Sequence, residues 1–257
     1  MFRSRKRAVG IAVMAILALV LAACSSTGGK RAAEAAAAGQ TSVAAGHSNT
    51  PHYTIAMITH ASPGDTFWDI IRAGASAAAA KDNVTLKYSS DPDPTKQAQL
   101  ITDAINSHVN GIAVTDPAPA AICPTVKAAR AAGIPVVMFN AGVNNWQQCG
   151  GLSFFGQDET IAGLAAGKRL AAAGAKNVLC VLQQQGQVQL EARCSGVQQG
   201  LGSEGTMSKL YVNGTDNSAV LSSLTAELTR NKSIDAVITL GAQFALCLLY
   251  TSDAADE

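Results

Sequence analysis

Charge is scarce in this chain. Only 14% of its 257 residues are Asp, Glu, Lys or Arg, and the formal balance is +1. Without an excess of either sign there is no electrostatic footprint for nucleic acid. Aromatics are also few, at 5%, and the four histidines, His47, His52, His60 and His108, are scattered. No CxxC pair exists and no histidine has ligand spacing to a cysteine, so a metal site is not expected. There is no HExxH, no GxSxG elbow, no Walker pattern and no GxGxxG after the first strand. These gaps remove the usual hydrolase and nucleotide-binding readings and leave no call for a cofactor. Carboxylates at strand ends could do acid–base work, but nothing in the sequence pairs them, so the chain does not read as an enzyme.

What is present starts with a basic segment, Arg3, Arg5, Lys6 and Arg7, ahead of an apolar run from Ala8 to Ala22 interrupted only by Gly10. The run is short of the roughly 20 residues that a spanning helix needs. Charge in front and small residues behind make it a secretory signal. The site Leu21-Ala22-Ala23-Cys24 resembles a bacterial lipobox, in which lipid is attached to the cysteine. Residues 1–23 are therefore expected to be a lipoprotein signal peptide. Residues 24–51, rich in Ala, Gly, Ser and Thr, are expected to be a lipidated Cys24 and a disordered tether. An oxidising compartment follows, where disulfides persist. Setting aside Cys24 and Cys247, four cysteines remain, with three possible pairings. Cys123–Cys149 and Cys180–Cys194 are favoured because they join neighbouring elements; free buried thiols are the alternative.

From His52 onward, short β-branched runs alternate with Ala-rich helical stretches. Strands are predicted at 53–59, 84–90, 111–116, 134–140, 177–183, 207–213 and 234–240. Helices are predicted at 66–81, 94–108, 118–133, 158–174, 190–201 and 217–230. Repeated βα of this kind forms parallel sheets with helices on both faces. Ligands then bind beyond the carboxyl ends of the strands. Those positions hold His60, Asp65, Phe67 and Trp68, then Asp91 and Asp93, Asp116, Asn140 and Asn144, Gln183 to Gln185 with Gln187, Glu191 and Arg193, and finally Gln243. Carboxylates, amides, an arginine and an aromatic pair suit a hydroxyl-rich ligand. Competing local roles exist: Asp65 and Asp158 read as helix caps. Phe67 and Trp68 are adjacent and cannot both face the sheet.

Four segments, DTFWDIIRAGASAAAA, DAINSHVNGIAVTDPAPAA, AAGIPVVMFNAG and FFGQDETIAGLAAGKRL, carry a resemblance across about residues 53–246. In this order and spacing the chain resembles periplasmic sugar-binding proteins of the ribose- and galactose-binding type, the substrate-binding components of ABC importers. The resemblance implies a type I periplasmic-binding-protein fold: α/β, two lobes, each a parallel sheet with helices on both faces. The lobes would span residues 52–156 and 157–246. It implies an extracytoplasmic receptor, monomeric and lipid-anchored, that closes on a monosaccharide or polyol and delivers it to an ABC permease and its ATPase. A sugar-sensing receptor of the same fold, signalling to a membrane kinase or chemoreceptor, is the alternative. Carried over by residue, Phe67 and Trp68 would stack on the sugar, Asp116 and Asn140 would bind hydroxyls from the first lobe, Glu191 and Arg193 from the second, and Gln243 would lie near the cleft. Many family members carry Asp-Arg after the fourth strand, where this chain has Asn140-Ala141.

The last eleven residues, Cys247 to Glu257, fit none of this pattern and look like a translated sequencing adapter. The second lobe is accordingly expected to be incomplete. At about 30 residues per βα unit, roughly 60 to 90 residues would be missing.

Overall fold

The computed structural model describes residues 49–246. The predicted signal peptide, Cys24, most of the tether and the 247–257 tail lie outside the described residues.

Within them the alternation is present throughout. Strand β1 (Tyr53–Thr59) leads into α1 (Thr66–Lys81), β2 (Val84–Ser90), α2 (Pro94–Asn106), β3 (Gly111–Val114), α3 (Pro119–Ala131) and β4 (Val136–Phe139). A two-residue strand, β5 (Phe154–Phe155), precedes α4 (Glu159–Ala172). Then come β6 (Asn177–Leu182), α5 (Val188–Leu201), β7 (Thr206–Tyr211), α6 (Asn217–Arg230) and β8 (Ala236–Thr239). The short β5 carries no periodic signal and was not expected. It exists because Met138 and Phe139 at the sheet edge pair with Phe154 and Phe155.

The strands form two sheets, in the orders β2-β1-β3-β4-β5 and β7-β6-β8, and every pairing is parallel. These are the two sheets of a type I periplasmic-binding-protein fold. The first sheet packs on one continuous core in which Ile58, Ile101, Val114, Ile122, Val126, Val136 and Met138 are fully buried. The second divides its apolar side chains among three smaller clusters, around Leu179 and Leu224, around Cys180 and Leu182, and around Val178 and Val197. Its central strand β6 is buried from Val178 to Leu182, whereas edge strand β8 is half-exposed along its whole length.

Helix starts are set by side-chain caps. Asp65, Asp93, Asp158 and Asp216 each accept hydrogen bonds from the first-turn amides of α1, α2, α4 and α6. The capping roles read for Asp65 and Asp158 are thus seen directly. Pro94 and Pro119 occupy the first turns of α2 and α3, where a missing N–H costs nothing.

The pairing of α4 with α5 rests on glycine. Gly163 and Gly167 on α4 face Gly196 and Gly200 on α5, and the two backbones touch. A methyl group on Gly163 would lie 2.0 Å from the Arg193 carbonyl oxygen, and one on Gly196 would lie 2.2 Å from that of Thr160. No side chain fits between these helices.

Candidate functional site

The carboxyl ends of both sheets open onto one cleft of about 540 Å³. The first sheet contributes Ser62 after β1, Pro92 to Pro94 after β2, and Pro117 and Ala118 after β3. The second contributes Gln183 to Gln187 after β6, and Tyr211, Val212, Asn213 and Thr215 at the end of β7 and beyond. This is where a parallel α/β fold places its ligands, because the strand-to-helix turns there carry free side chains and helix N-termini. The floor is mostly amide and hydroxyl, with Asp93 as the carboxylate.

Beside the cleft a chain of hydrogen bonds joins the two lobes. Gln97, fully buried on α2, donates to the Thr115 carbonyl (2.8 Å) and hydroxyl (3.0 Å). His60 Nδ1 meets the same hydroxyl at 2.8 Å, and His60 Nε2 lies 3.1 Å from the Gln189 amide nitrogen of the second lobe. That nitrogen can only donate, so Nε2 accepts and the imidazole proton sits on Nδ1. Gln189 also donates to Gln187 (2.7 Å), Gln187 donates to Gln184, and Gln184 Nε2 returns across the gap to the Ser62 hydroxyl at 2.8 Å. A backbone bond from Val188 N–H to the Pro117 carbonyl (3.0 Å) seals the same line.

Burial drives the His60 pKa down to about 3, so the ring is neutral across ordinary pH. Trp68 packs edge-on against it, with ring centroids 4.9 Å apart. Three polar atoms of this region are left unpaired although buried: Oε1 of Gln97, of Gln183 and of Gln189. Unsatisfied acceptors in a cleft wall are costly unless another group completes them. A second, smaller cavity adjoins, lined by Asn140, Val143, Asn144 and Asn145 of the first lobe and by Glu159, Val188 and Gln189 of the second.

The seven residues expected to bind ligand fall into separate places. Asn140 lines the small cavity, and its backbone is in the left-handed region, at φ 61°. Trp68 is buried against His60 and Phe139, while Phe67 is about half exposed and packs edge-on to Trp68. Adjacent positions on a helix point in different directions, and here one ring goes in and the other out. Asp116 is fully buried and faces the sulfurs of Cys123 and Cys149. Glu191 is engaged by Lys209 at 2.6 Å and by the hydroxyl of Tyr211, a cleft-lining residue. Arg193 is tied to Glu159, which is itself buried. Gln243 follows β8, curled over Gly241 next to the buried Phe244. None of these last four lines either cavity.

Residues that do line the cleft, Ser62, Asp93, Gln183, Tyr211 and Asn213, follow from the strand-end rule when it is applied to every strand, including β7. Gln189 carried no signal. It sits one residue into α5, past the glutamine run, and only the crossing of the chain toward Pro117 turns it toward the smaller cavity.

The structure joins Cys123 to Cys149 and Cys180 to Cys194. The first bond ties α3 to the loop that carries Asn144 and Asn145; the second ties β6 to α5.

Among solved structures, the chain is 61% identical to a carbohydrate transporter from Acidothermus cellulolyticus, solved in complex with myo-inositol. The match covers 80% of this chain and 72% of that one, with a TM-score of 0.77. A periplasmic sugar-binding protein of an ABC sugar transporter from Legionella pneumophila is 26% identical, over 80% and 77% of the two chains, with a TM-score of 0.72. A glucose-galactose binding protein from Geobacillus stearothermophilus, 16% identical over 80% and 75%, shares the fold, with a TM-score of 0.70. No curated protein matches significantly. Residues 55–255 match the periplasmic binding protein domain, a family of binding proteins and not of enzymes. By its two parallel sheets, its cleft at their carboxyl ends and this match, the chain belongs to the periplasmic binding protein domain family.

Proposed function

We propose that the protein is an extracytoplasmic solute receptor that binds a cyclic polyol or monosaccharide between its lobes and hands it to an ABC permease. The observation that carries this reading is the cleft lined by amides and hydroxyls from both sheets, with the buried, unpaired Gln183 and Gln189 oxygens beside it. A ligand rich in hydroxyl donors completes such acceptors, and the absence of a cation among the lining residues disfavours an anionic solute. The 61% identity to a chain complexed with myo-inositol supports the cyclic polyol in particular.

In this reading Ser62, Asp93, Asn213 and the Gln183–Gln189 segment hold the hydroxyls, Asn140 contributes from the neighbouring cavity, and Tyr211 offers a flat face. Asp116, Glu191 and Arg193 hold the scaffold instead. Binding energy comes from closing two lobes over a desolvated ligand, and the closed form is what a permease would recognise. The basic segment, apolar run and Cys24 support anchoring by lipid at the outer face of the cytoplasmic membrane.

Calorimetric titration with inositols, hexoses, pentoses and amino acids tests the proposal. Heat with one or more polyols or sugars, and no turnover of the ligand, is expected. Heat with an amino acid or peptide and with no sugar or polyol would overturn it.

A further inference from the structure

Asp116 sits at the end of β3 with none of its side chain exposed. Its Oδ2 stands 3.7 Å from Cys123 Sγ on α3 and 3.7 Å from Cys149 Sγ on the loop after β4. Its Oδ1 makes no hydrogen bond. The groups facing the carboxyl from α3, from the following loop and from its own turn are the two sulfurs, Gly142 and the Ala118 N–H; none is charged. The two sulfurs are bonded to each other, so neither is a thiolate and the trio cannot ligate a metal in this form. A half-cystine sulfur also carries no hydrogen. The contact with Asp116 is therefore a hydrogen bond only when the carboxyl itself holds the proton. Burial raises its pKa to about 7, with the Ala118 N–H offsetting part of the effect. Near neutral pH, a substantial fraction of the molecules keep a proton poised beside the disulfide.

The other disulfide has no such neighbour. Cys180 and Cys194 are both fully buried, among Leu182, Leu190, Met207, Ile238 and Leu240. In the first pair only Cys149 is fully buried, and Cys123 is half-buried. Cys123 is thus the less buried end of the bond, and Asp116 Oδ2 stands equally close to both sulfurs.

We propose that Cys123–Cys149 is a thiol-exchange site for an external dithiol, with Asp116 as the proton donor to the departing sulfur. The thiolate of the dithiol attacks Cys123 Sγ, the less buried end. A bond forms between the incoming sulfur and Cys123 while the Cys123–Cys149 bond breaks. Cys149 Sγ leaves with the electron pair and takes the proton from Asp116 Oδ2. The second thiol of the reductant then gives its proton to Cys123 as its sulfur attacks the dithiol sulfur of the mixed disulfide; Cys123 is displaced and the reductant departs as a cyclic disulfide. Two electrons pass from the dithiol to the protein, two protons end on the two cysteines, and the proton that the first thiol released to solvent restores Asp116. Leaving-group protonation matters because expelling a free thiolate into an apolar pocket is slow.

The test is the rate of opening by dithiothreitol, followed by differential alkylation and peptide mass mapping of each pair. Rates are normalised to reduction of oxidised glutathione in the same buffers, so that the reductant's own ionisation cancels. In the unaltered protein the normalised rate for Cys123–Cys149 is expected to fall, by at least about tenfold, as pH rises through about 7. Cys180–Cys194 is expected to open more slowly, without that inflection. Asp116→Asn should flatten the profile: slower than the parent on the acid side, and equal or faster on the alkaline side, where a carboxylate would repel the attacking thiolate. A normalised profile flat with pH in the unaltered protein, or the same inflection at both disulfides, would overturn the proposal. So would an Asp116→Asn profile that keeps the inflection. The first readout needs no variant and so stands whether or not Asp116→Asn folds.

Discussion

The two lobes are built on the same βα repeat but solve packing in opposite ways. The first buries one large aliphatic core under five strands and leaves α1 loosely attached, with Ile70 and most of its alanines exposed. Among the described residues the second has three strands and three smaller clusters, and its helices α4 and α5 are pressed together through four glycines. The difference bears on function, because α5 begins at Val188, beside the cleft, and its placement against Pro117 and His60 is inherited from the glycine contact.

The largest expected effect follows from that contrast. Gly163→Ala or Gly196→Ala forces a methyl group into a backbone carbonyl, and overpacking of this kind costs roughly 3 kcal/mol or more. In the first lobe, Gly74 lies mid-helix in α1 with nothing near its Cβ position, so Gly74→Ala should stabilise by about 0.5–1 kcal/mol. Chemical denaturation of the three variants measures both signs. Equal effects in the two lobes would break the comparison.

An intermediate effect concerns acid. His60 is held neutral, with its pKa lowered from 6.5 to about 3, where the lobes meet. The interlobe contact therefore favours the neutral ring. Its contribution is present above the ordinary histidine range and is lost as pH falls through it, because the open form takes up the proton first. Asp116 has the opposite sign. With its pKa raised from 3.8 to about 7, it favours the folded first lobe increasingly as pH falls from about 7 toward 4. Small-angle scattering should show the lobes separating between about pH 6.5 and about pH 4.5, while near-ultraviolet circular dichroism of the first lobe persists. Separation that is equally marked in His60→Gln and in the parent would show that His60 is not the responsive group.

The smallest effect should be the same in both lobes. Asp65→Ala removes the cap of α1 and Asp216→Ala that of α6, and each should cost about 1 kcal/mol by denaturant titration. A cost several times larger in one lobe would mean that its helices depend on local caps more than on packing.

The fold was legible because parallel strands buried on both faces leave continuous β-branched runs, and β1, α1, β2 and α6 end where periodicity places them. Strand β5 was not legible, since two residues carry no period. The glycine pairs of α4 and α5 stand openly in the sequence at a spacing of four, but only the helix crossing gives them meaning. The site was legible as a location more than as a residue set. Strand ends pointed to the cleft, yet Asp116 turns inward toward Cys123 and Cys149. Arg193 is spent on Glu159, and Glu191 on Lys209, partners distant in sequence. Which face of a strand end looks into the cleft depends on the opposing lobe, and local pattern does not encode it.

The central claim is that ligand binds between the lobes, against polar groups from both. Hydrogen exchange with and without a saturating cyclic polyol tests it most directly. Slowed exchange is predicted at residues 60–62, 92–94, 115–118 and 140–145 of the first lobe, together with 183–189 and 211–215 of the second. Protection confined to one lobe, or lying away from all of these segments, would contradict it.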